Sequence, residues 1–143
     1  MKLTPVTQLN EQQLAQLHQL YQGEWWSRGR TLPDITRAIA GTDYIFGFAE
    51  PDSGRLVIFA RVLSDRVYKA LLLDVIVHPD YRGQGLGRML VDAVVSHPDL
   101  AGVRQFELYC RPELRDFYRQ WGFTDDIGEI IFMRKTLDAQ KSG

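Results

Sequence analysis

The chain has 143 residues, 45% of them hydrophobic, a size and composition that suit one compact domain with a sizeable buried core. Seventeen Lys and Arg against eighteen Asp and Glu leave a formal net charge of -1, so no basic field is available to hold a nucleic acid. A single cysteine, Cys110, excludes an internal disulfide and a cysteine-cluster metal site and suits a reducing cytoplasm, while no charge-free apolar stretch approaches the ~20 residues of a membrane-spanning helix.

Residues 4–7 read as a short opening strand. Asn10 follows as a helix N-cap, with Gln13 placed to complete a capping box, and Leu14, Leu17, Leu20 and Tyr21 recur at helical spacing toward a stop at Gly23. A second, shorter helix is expected over residues 33–40, with Pro33 in the first turn, where its missing N–H costs nothing. Residues 43–50 and 55–63, joined by Pro51, Asp52, Ser53 and Gly54, read as an antiparallel hairpin. Residues 68–77 read as a central strand covered on both faces, with Leu71, Leu73, Val75 and Val77 on one and Leu72, Asp74, Ile76 and His78 on the other. Pro79 ends it. A third helix opens at Gly85 or Leu86, carries Leu86, Leu90, Ala93 and Val94 on one stripe, and stops near His97 and Pro98. A fifth strand over 103–109, a fourth helix over 113–121 and a final strand over 129–135 complete the elements, with a polar tail at 138–143. The class is α+β with a mixed sheet, one domain over residues 1–137.

Chemistry concentrates in residues 74–88. There a buried strand runs into a glycine-rich turn that becomes a helix N-terminus, where unpaired N–H groups and the positive end of the helix dipole make an anion site suited to a pyrophosphate. Gly83, Gly85 and Gly87 let the backbone approach an anion closely. Spacing alone is also compatible with a glycine-rich connector that binds nothing. A P-loop is excluded because Gly87 is followed by Arg88 and Met89 rather than Lys and Ser or Thr, and a dinucleotide fingerprint because Arg88 stands where its third glycine belongs.

The run Arg82-Gly83-Gln84-Gly85-Leu86-Gly87, and Tyr118-Arg119-Gln120-Trp121-Gly122-Phe123 at the end of the fourth helix, together resemble the two signature elements of the Gcn5-related N-acetyltransferase family. The resemblance is specific over residues 71–123. It implies a mostly antiparallel central sheet flanked by helices and splayed at its central strands, with the pantetheine of acetyl-CoA lying in the gap. By this similarity Val75, Ile76 and Val77 offer backbone groups to the pantetheine and the acetyl carbonyl. Arg82, Gly83, Gln84, Gly85, Leu86, Gly87 and Arg88 cradle the pyrophosphate, and Tyr118 protonates the departing thiolate. For Tyr118 the spacing of Leu114, Phe117, Tyr118 and Trp121 also fits a plain core stripe. The acid role would be eased by a modestly lowered phenol pKa.

Leu71 stands where some members carry a basic glutamate, so Asp74 is the nearest carboxylate for a catalytic base. A structural aspartate bonded to backbone or to an arginine is the alternative, and Glu107, His78 or a water chain are further options. Arg111 replaces an asparagine common in the family. Trp25, Trp26, Arg28 and Arg30 fall where the family's acceptor pocket is bordered; alternatively one tryptophan is core and both arginines are solvated. An acyl-Cys110 route lacks a partner histidine, and His18 and His97 give no support to a metal site. The implied protein is a cytoplasmic enzyme moving an acetyl group from acetyl-CoA to a primary amine, on a small molecule, a protein N-terminus or a lysine, by direct attack in a ternary complex. It needs no metal, nucleic acid or membrane, and the family admits a homodimer. The rival is a non-catalytic module that senses acetyl-CoA.

Overall fold

The capping box forms. Asn10 Oδ1 accepts the Gln13 N–H at 2.8 Å and Gln13 Oε1 accepts the Asn10 N–H at 3.1 Å, which satisfies two orphan donors at the start of α1 (Glu11–Gln22). In this computed structural model, which describes residues 2–137, Thr31 Oγ1 caps α2 (Leu32–Ala40) by accepting the Asp34 N–H at 3.3 Å, with Pro33 in the first turn. Leu17, Leu20 and Tyr21 of α1 and Ile35 of α2 are buried with Leu56, Phe59 and Ile76, so the two helices close their apolar stripes onto the sheet.

The chain divides into two compact units, Met1–Tyr109 and Cys110–Gly143. The first contains a five-stranded sheet in sequence order, β1 (Thr4–Val6), β2 (Tyr44–Ala49), β3 (Leu56–Ser64), β4 (Lys69–Val77) and β5 (Gln105–Leu108). All neighbours are antiparallel except β4 and β5, whose parallel pairing requires the crossover that α3 (Leu86–Ser96) supplies. The architecture is thus the expected α+β fold with a mostly antiparallel mixed sheet.

Two irregularities shape the centre of this sheet. The ladder between β4 and β5 ends at Leu72 and Leu108, so β4 continues through Val77 without a β5 partner, which is the splay the resemblance implied. Between β3 and β4 the register passes from Arg61 opposite Leu73 to Phe59 opposite Ile76, so Ala60 faces both Asp74 and Val75. This is a β-bulge, and Asp74 within it has φ +60°. The uninterrupted alternation expected over residues 68–77 therefore fails at Asp74, because two residues of β4 share one partner.

In the second unit, a 3-10 turn at Pro112–Leu114 leads into α4 (Arg115–Arg119), shorter than the helix expected over 113–121. Leu114 is exposed, so only Phe117, Tyr118 and Trp121 of the expected stripe turn inward. The strand expected over residues 129–135 does not form: Ile130, Ile131 and Met133 are exposed and unladdered. Apolar β-formers need a neighbouring strand for their N–H and C=O groups, and among its described residues this unit has none. The expected tail at 138–143 lies outside the described residues. No described helix is long and apolar enough to cross a membrane.

Candidate active site

Beyond β4 the chain turns at Pro79 and reaches α3 through the glycine-rich loop. Gly83 and Gly85 have φ +77° and +75°, which L side chains resist, and a Cβ at either position would project into open space. Gly85 is the N-cap of α3 and brings no side-chain cap, so the first-turn N–H groups of an 11-residue helix gain no acceptor from a capping side chain. Open space before a helix N-terminus, with the dipole's positive end behind it, fits a pyrophosphate. Gln84 and Arg88 are exposed at its rim, and Leu86 is buried as the helix anchor. The Arg82 guanidinium donates to Glu24 Oε1 at 3.1 Å and, through Nε, to the Val77 carbonyl at 3.4 Å. A cavity of about 460 Å³ opens beside this loop, with Leu20, Leu56, Ile76, Val77, His78 and Arg82 in its wall. Its wall is mainly apolar and also carries Gln16, Arg55 and Asp80, the mixed lining of small-molecule sites.

Upstream, the bulge is the centre of a buried polar cluster. Asp74 Oδ2 accepts from the Tyr21 hydroxyl at 2.8 Å, from Arg30 at 2.9 Å and from Arg61 Nε at 2.7 Å. Burial alone would raise the Asp74 pKa, but hydrogen bonds and charge from Arg61 and Arg30 outweigh it and hold the carboxyl below its ordinary range. The same burial, with the Asp74 charge beside it, lifts the Tyr21 phenol well above its usual value. Arg30, expected either to border an acceptor pocket or to be solvated, meets an acidic group of its own chain. Its guanidinium also lies over the rings of Tyr21 and Trp26, 4.7 and 5.5 Å from their centroids.

Neither tryptophan is core: Trp25 is 65% and Trp26 37% exposed, which corrects the alternative that one of them is buried. Their segment is nonetheless pinned, because buried Ser27 Oγ donates to the Tyr21 carbonyl at 2.7 Å and Gln22 bonds both the Arg30 carbonyl and the Gly29 N–H. Arg28 is exposed and reaches the Gln22 carbonyl at 3.4 Å. His78 is kept neutral, since burial and then the Arg55 charge lower its pKa, and its Nδ1 accepts the Asp80 N–H at 3.1 Å. Glu107, another expected base candidate, is exposed and ion-paired to Lys69 at 2.9 Å.

In the second unit Tyr118 is 7% exposed, its ring edge-on to Phe117 and Phe123. Burial, and secondarily the charge of Cys110, push its phenol up to about 12, opposite to the lowering that would ease its work as an acid. Partial burial likewise raises the Cys110 thiol, which keeps it protonated and a poor nucleophile at neutral pH. Arg111 pairs with Glu113 at 3.1 Å. Among the described residues no group of three or more His, Cys, Asp or Glu could hold a metal ion.

The sequence profile of the acetyltransferase (GNAT) domain matches residues 42–125, from the turn before β2 to beyond α4. The chain belongs to the GNAT acetyltransferase family. A GNAT-family protein of Xanthomonas campestris pv. campestris is 32% identical in sequence and superposes with a TM-score of 0.78 over 94% of each chain. An uncharacterized N-acetyltransferase of Porphyra purpurea is 32% identical over 115 residues, 79% of this chain and 66% of that protein. A chloroplastic serotonin N-acetyltransferase of Oryza sativa subsp. japonica is 40% identical over 97 residues, 66% of this chain and 48% of that protein. The chain thus spans about two thirds or less of the length of these curated relatives.

Within this GNAT fold, two members of the Asp74 cluster are not singled out by the sequence: Tyr21, which fits the apolar stripe of α1, and Arg61. A signal for Arg61 existed. It interrupts the apolar run from Leu56 to Val62 as Asp74 interrupts the run from Leu71 to Val77, and opposite charges breaking two adjacent central strands point to a buried pair.

Proposed function

We propose that this chain is an acetyl-CoA-dependent N-acetyltransferase that passes the acetyl group to a primary amine by direct attack within a ternary complex. The observation that carries the reading is the strand β4, which runs past its last β5 pair into two left-handed glycines and the uncapped N-terminus of α3. In this reading Gly83, Gln84, Gly85, Leu86, Gly87 and Arg88 offer main-chain N–H groups to the pyrophosphate, and Arg82 exchanges Glu24 for it. Val75, Ile76 and Val77 offer main-chain groups to the pantetheine and the acetyl oxygen, so that charge developing on that oxygen is met by oriented dipoles. Holding donor and acceptor together supplies much of the remaining acceleration.

Tyr118 is assigned the proton for the departing thiolate. Its raised pKa means that the proton is present at neutral pH, and the transfer must draw on negative charge forming at the sulfur. Asp74 was the candidate base, but three donors on Oδ2 keep it ionised and occupied. We therefore read it as a positioning carboxylate and give proton removal from the amine to water. Trp25, Trp26 and Arg28 are assigned to the acceptor side, with Arg30 behind them. The two exposed tryptophans and the substrate named for the rice relative make arylalkylamines the first acceptors to try.

We further read residues 1–137 as one domain, matched across both units by the family profile. The protein is read as cytoplasmic and, if oligomeric, a homodimer, acting without nucleic acid, membrane or metal. This rests on its near-neutral charge and single cysteine; the chloroplast location in the rice relative's name belongs to that protein. The test is thiol release from acetyl-CoA across a panel of arylalkylamines, polyamines, amino acids and a lysine peptide. Release stimulated by at least one amine is expected. Tight CoA binding with no stimulation by any amine would instead support the acetyl-CoA sensor.

A further inference from the structure

Asp74 sits in the middle of a central strand at φ +60°, a conformation that a residue with a side chain adopts at a cost. The groups that hold it there surround its carboxylate. Three donors from three parts of the unit meet on Oδ2: the Tyr21 hydroxyl of α1, Arg30 from the segment before α2, and Arg61 Nε of β3. Arg61 directly follows Ala60, the residue that the bulge faces, and also donates to Thr42 Oγ1 at 3.3 Å. The Asp74 side chain is 7% and the Arg61 side chain 15% exposed, so their pairing is little screened by solvent.

We propose that Arg61, assisted by Tyr21 and Arg30, is a positioning residue for acetyl transfer: by fixing the Asp74 carboxylate it maintains the β4 bulge and aims the backbone of Val75 and Ile76 at the acetyl group. This rests on the acetyltransferase reading above. In a regular ladder those N–H groups would alternate between β3 and β5. The bulge sets Val75 beside Asp74 opposite the single residue Ala60, just before pairing with β3 resumes at Ile76 and Phe59, and β5 pairs with β4 only as far as Leu72. A main-chain donor whose direction is set by three charge-assisted bonds is preorganised for an oxyanion, and its value lies in that fixed direction. Arg61 acts through Asp74 and touches no substrate.

Calorimetric titration of the full chain with CoA and with acetyl-CoA tests this without knowledge of the acceptor. In Arg61→Gln, with folding confirmed by thermal melting, CoA affinity is expected to stay within about twofold of wild type. Acetyl-CoA affinity is expected to fall about three- to tenfold, the worth of one well-aligned hydrogen bond. Asp74→Asn is expected to lose less acetyl-CoA affinity than Asp74→Ala, because asparagine tolerates left-handed backbone and its amide oxygen still accepts from Arg61. An unchanged ratio of the two affinities in folded Arg61→Gln, or an equal loss for both ligands, overturns the proposal. Should that variant fail to fold, Tyr21→Phe removes one of the three bonds and keeps the ring; a fall in the ratio of about two- to threefold is then expected, and no change overturns the proposal. Wild-type protein that binds neither ligand would refute the acetyltransferase reading itself, a result separate from any effect of Arg61.

Discussion

At Tyr118 the hydroxyl and the ring answer to different demands. The ring packs against Phe117 and Phe123, and nearly the whole residue is out of solvent. Tyr118→Phe preserves that packing and removes only the hydroxyl. If the hydroxyl is the general acid, the variant should melt close to wild type, bind CoA normally and turn over roughly 10²–10⁴ times more slowly. If it instead satisfies a buried acceptor, stability should drop by about 1–3 kcal/mol with little loss of rate per folded molecule. For Asp74 the readout is pH. Its folded pKa is depressed below the ordinary carboxylate value of about 3.9, so the stability it contributes is complete above that value and is lost as pH falls through the lower folded value. Asp74→Asn should therefore melt below wild type at pH 7, by about 1–3 kcal/mol for weakened bonds to charged partners. That gap should narrow as wild type is acidified below about pH 4. A gap constant from pH 7 to pH 3 would mean that the carboxylate is not held ionised by its arginines.

The glycine loop runs directly into α3, and Gly85 joins them. Its φ of +75° costs a β-branched residue roughly 1–2 kcal/mol, and the added side chain would enter the open space in front of the helix. Gly85→Val should keep the fold, because Leu90, Val91 and Val94 still bury the helix, yet lose the thermal shift caused by CoA. Normal CoA binding by this variant would reduce the loop to a connector. This element was legible in the sequence because its signals are local: glycines at fixed offsets, a helical stripe behind them and a proline ending the strand before them. The capping box of α1 and the hairpin at residues 51–54 were legible for the same reason. The bulge at Asp74 was not, since it depends on Ala60 of another strand facing two residues at once. The strand expected over 129–135 failed on the converse ground, for β-propensity in Ile130, Ile131 and Phe132 makes no ladder without a partner. For Trp25 and Trp26 the sequence leaves open whether they border an acceptor pocket or one of them joins the core, and their exposure is set by how Ser27 and Gln22 fold the segment, which no period announces.

For the whole molecule, the groups that the proposed reading gives to acetyl-CoA, at the end of β4, in the glycine loop and at the start of α3, take their places only when the sheet and α3 are folded. None of these can form the site in an unfolded chain, so a ligand bound there must stabilise the folded state. With one site and no affinity for the unfolded chain, the gain is RT ln(1 + [L]/Kd), about 2.7 kcal/mol at a hundredfold excess over Kd. With an unfolding entropy of about 2.1 cal/mol/K per residue, that gain corresponds in a chain of 143 residues to a rise in Tm of roughly 9 °C. The rise should grow with the logarithm of CoA concentration once the site is saturated, which separates specific binding from a general effect of added solute. Acetyl-CoA and CoA should both produce it, because pyrophosphate and pantetheine are common to the two. Adenosine alone should produce little, since it lacks the groups that the glycine loop and β4 receive. A melt unmoved by millimolar CoA would remove the basis of the acetyltransferase reading, whatever the family resemblance of the fold.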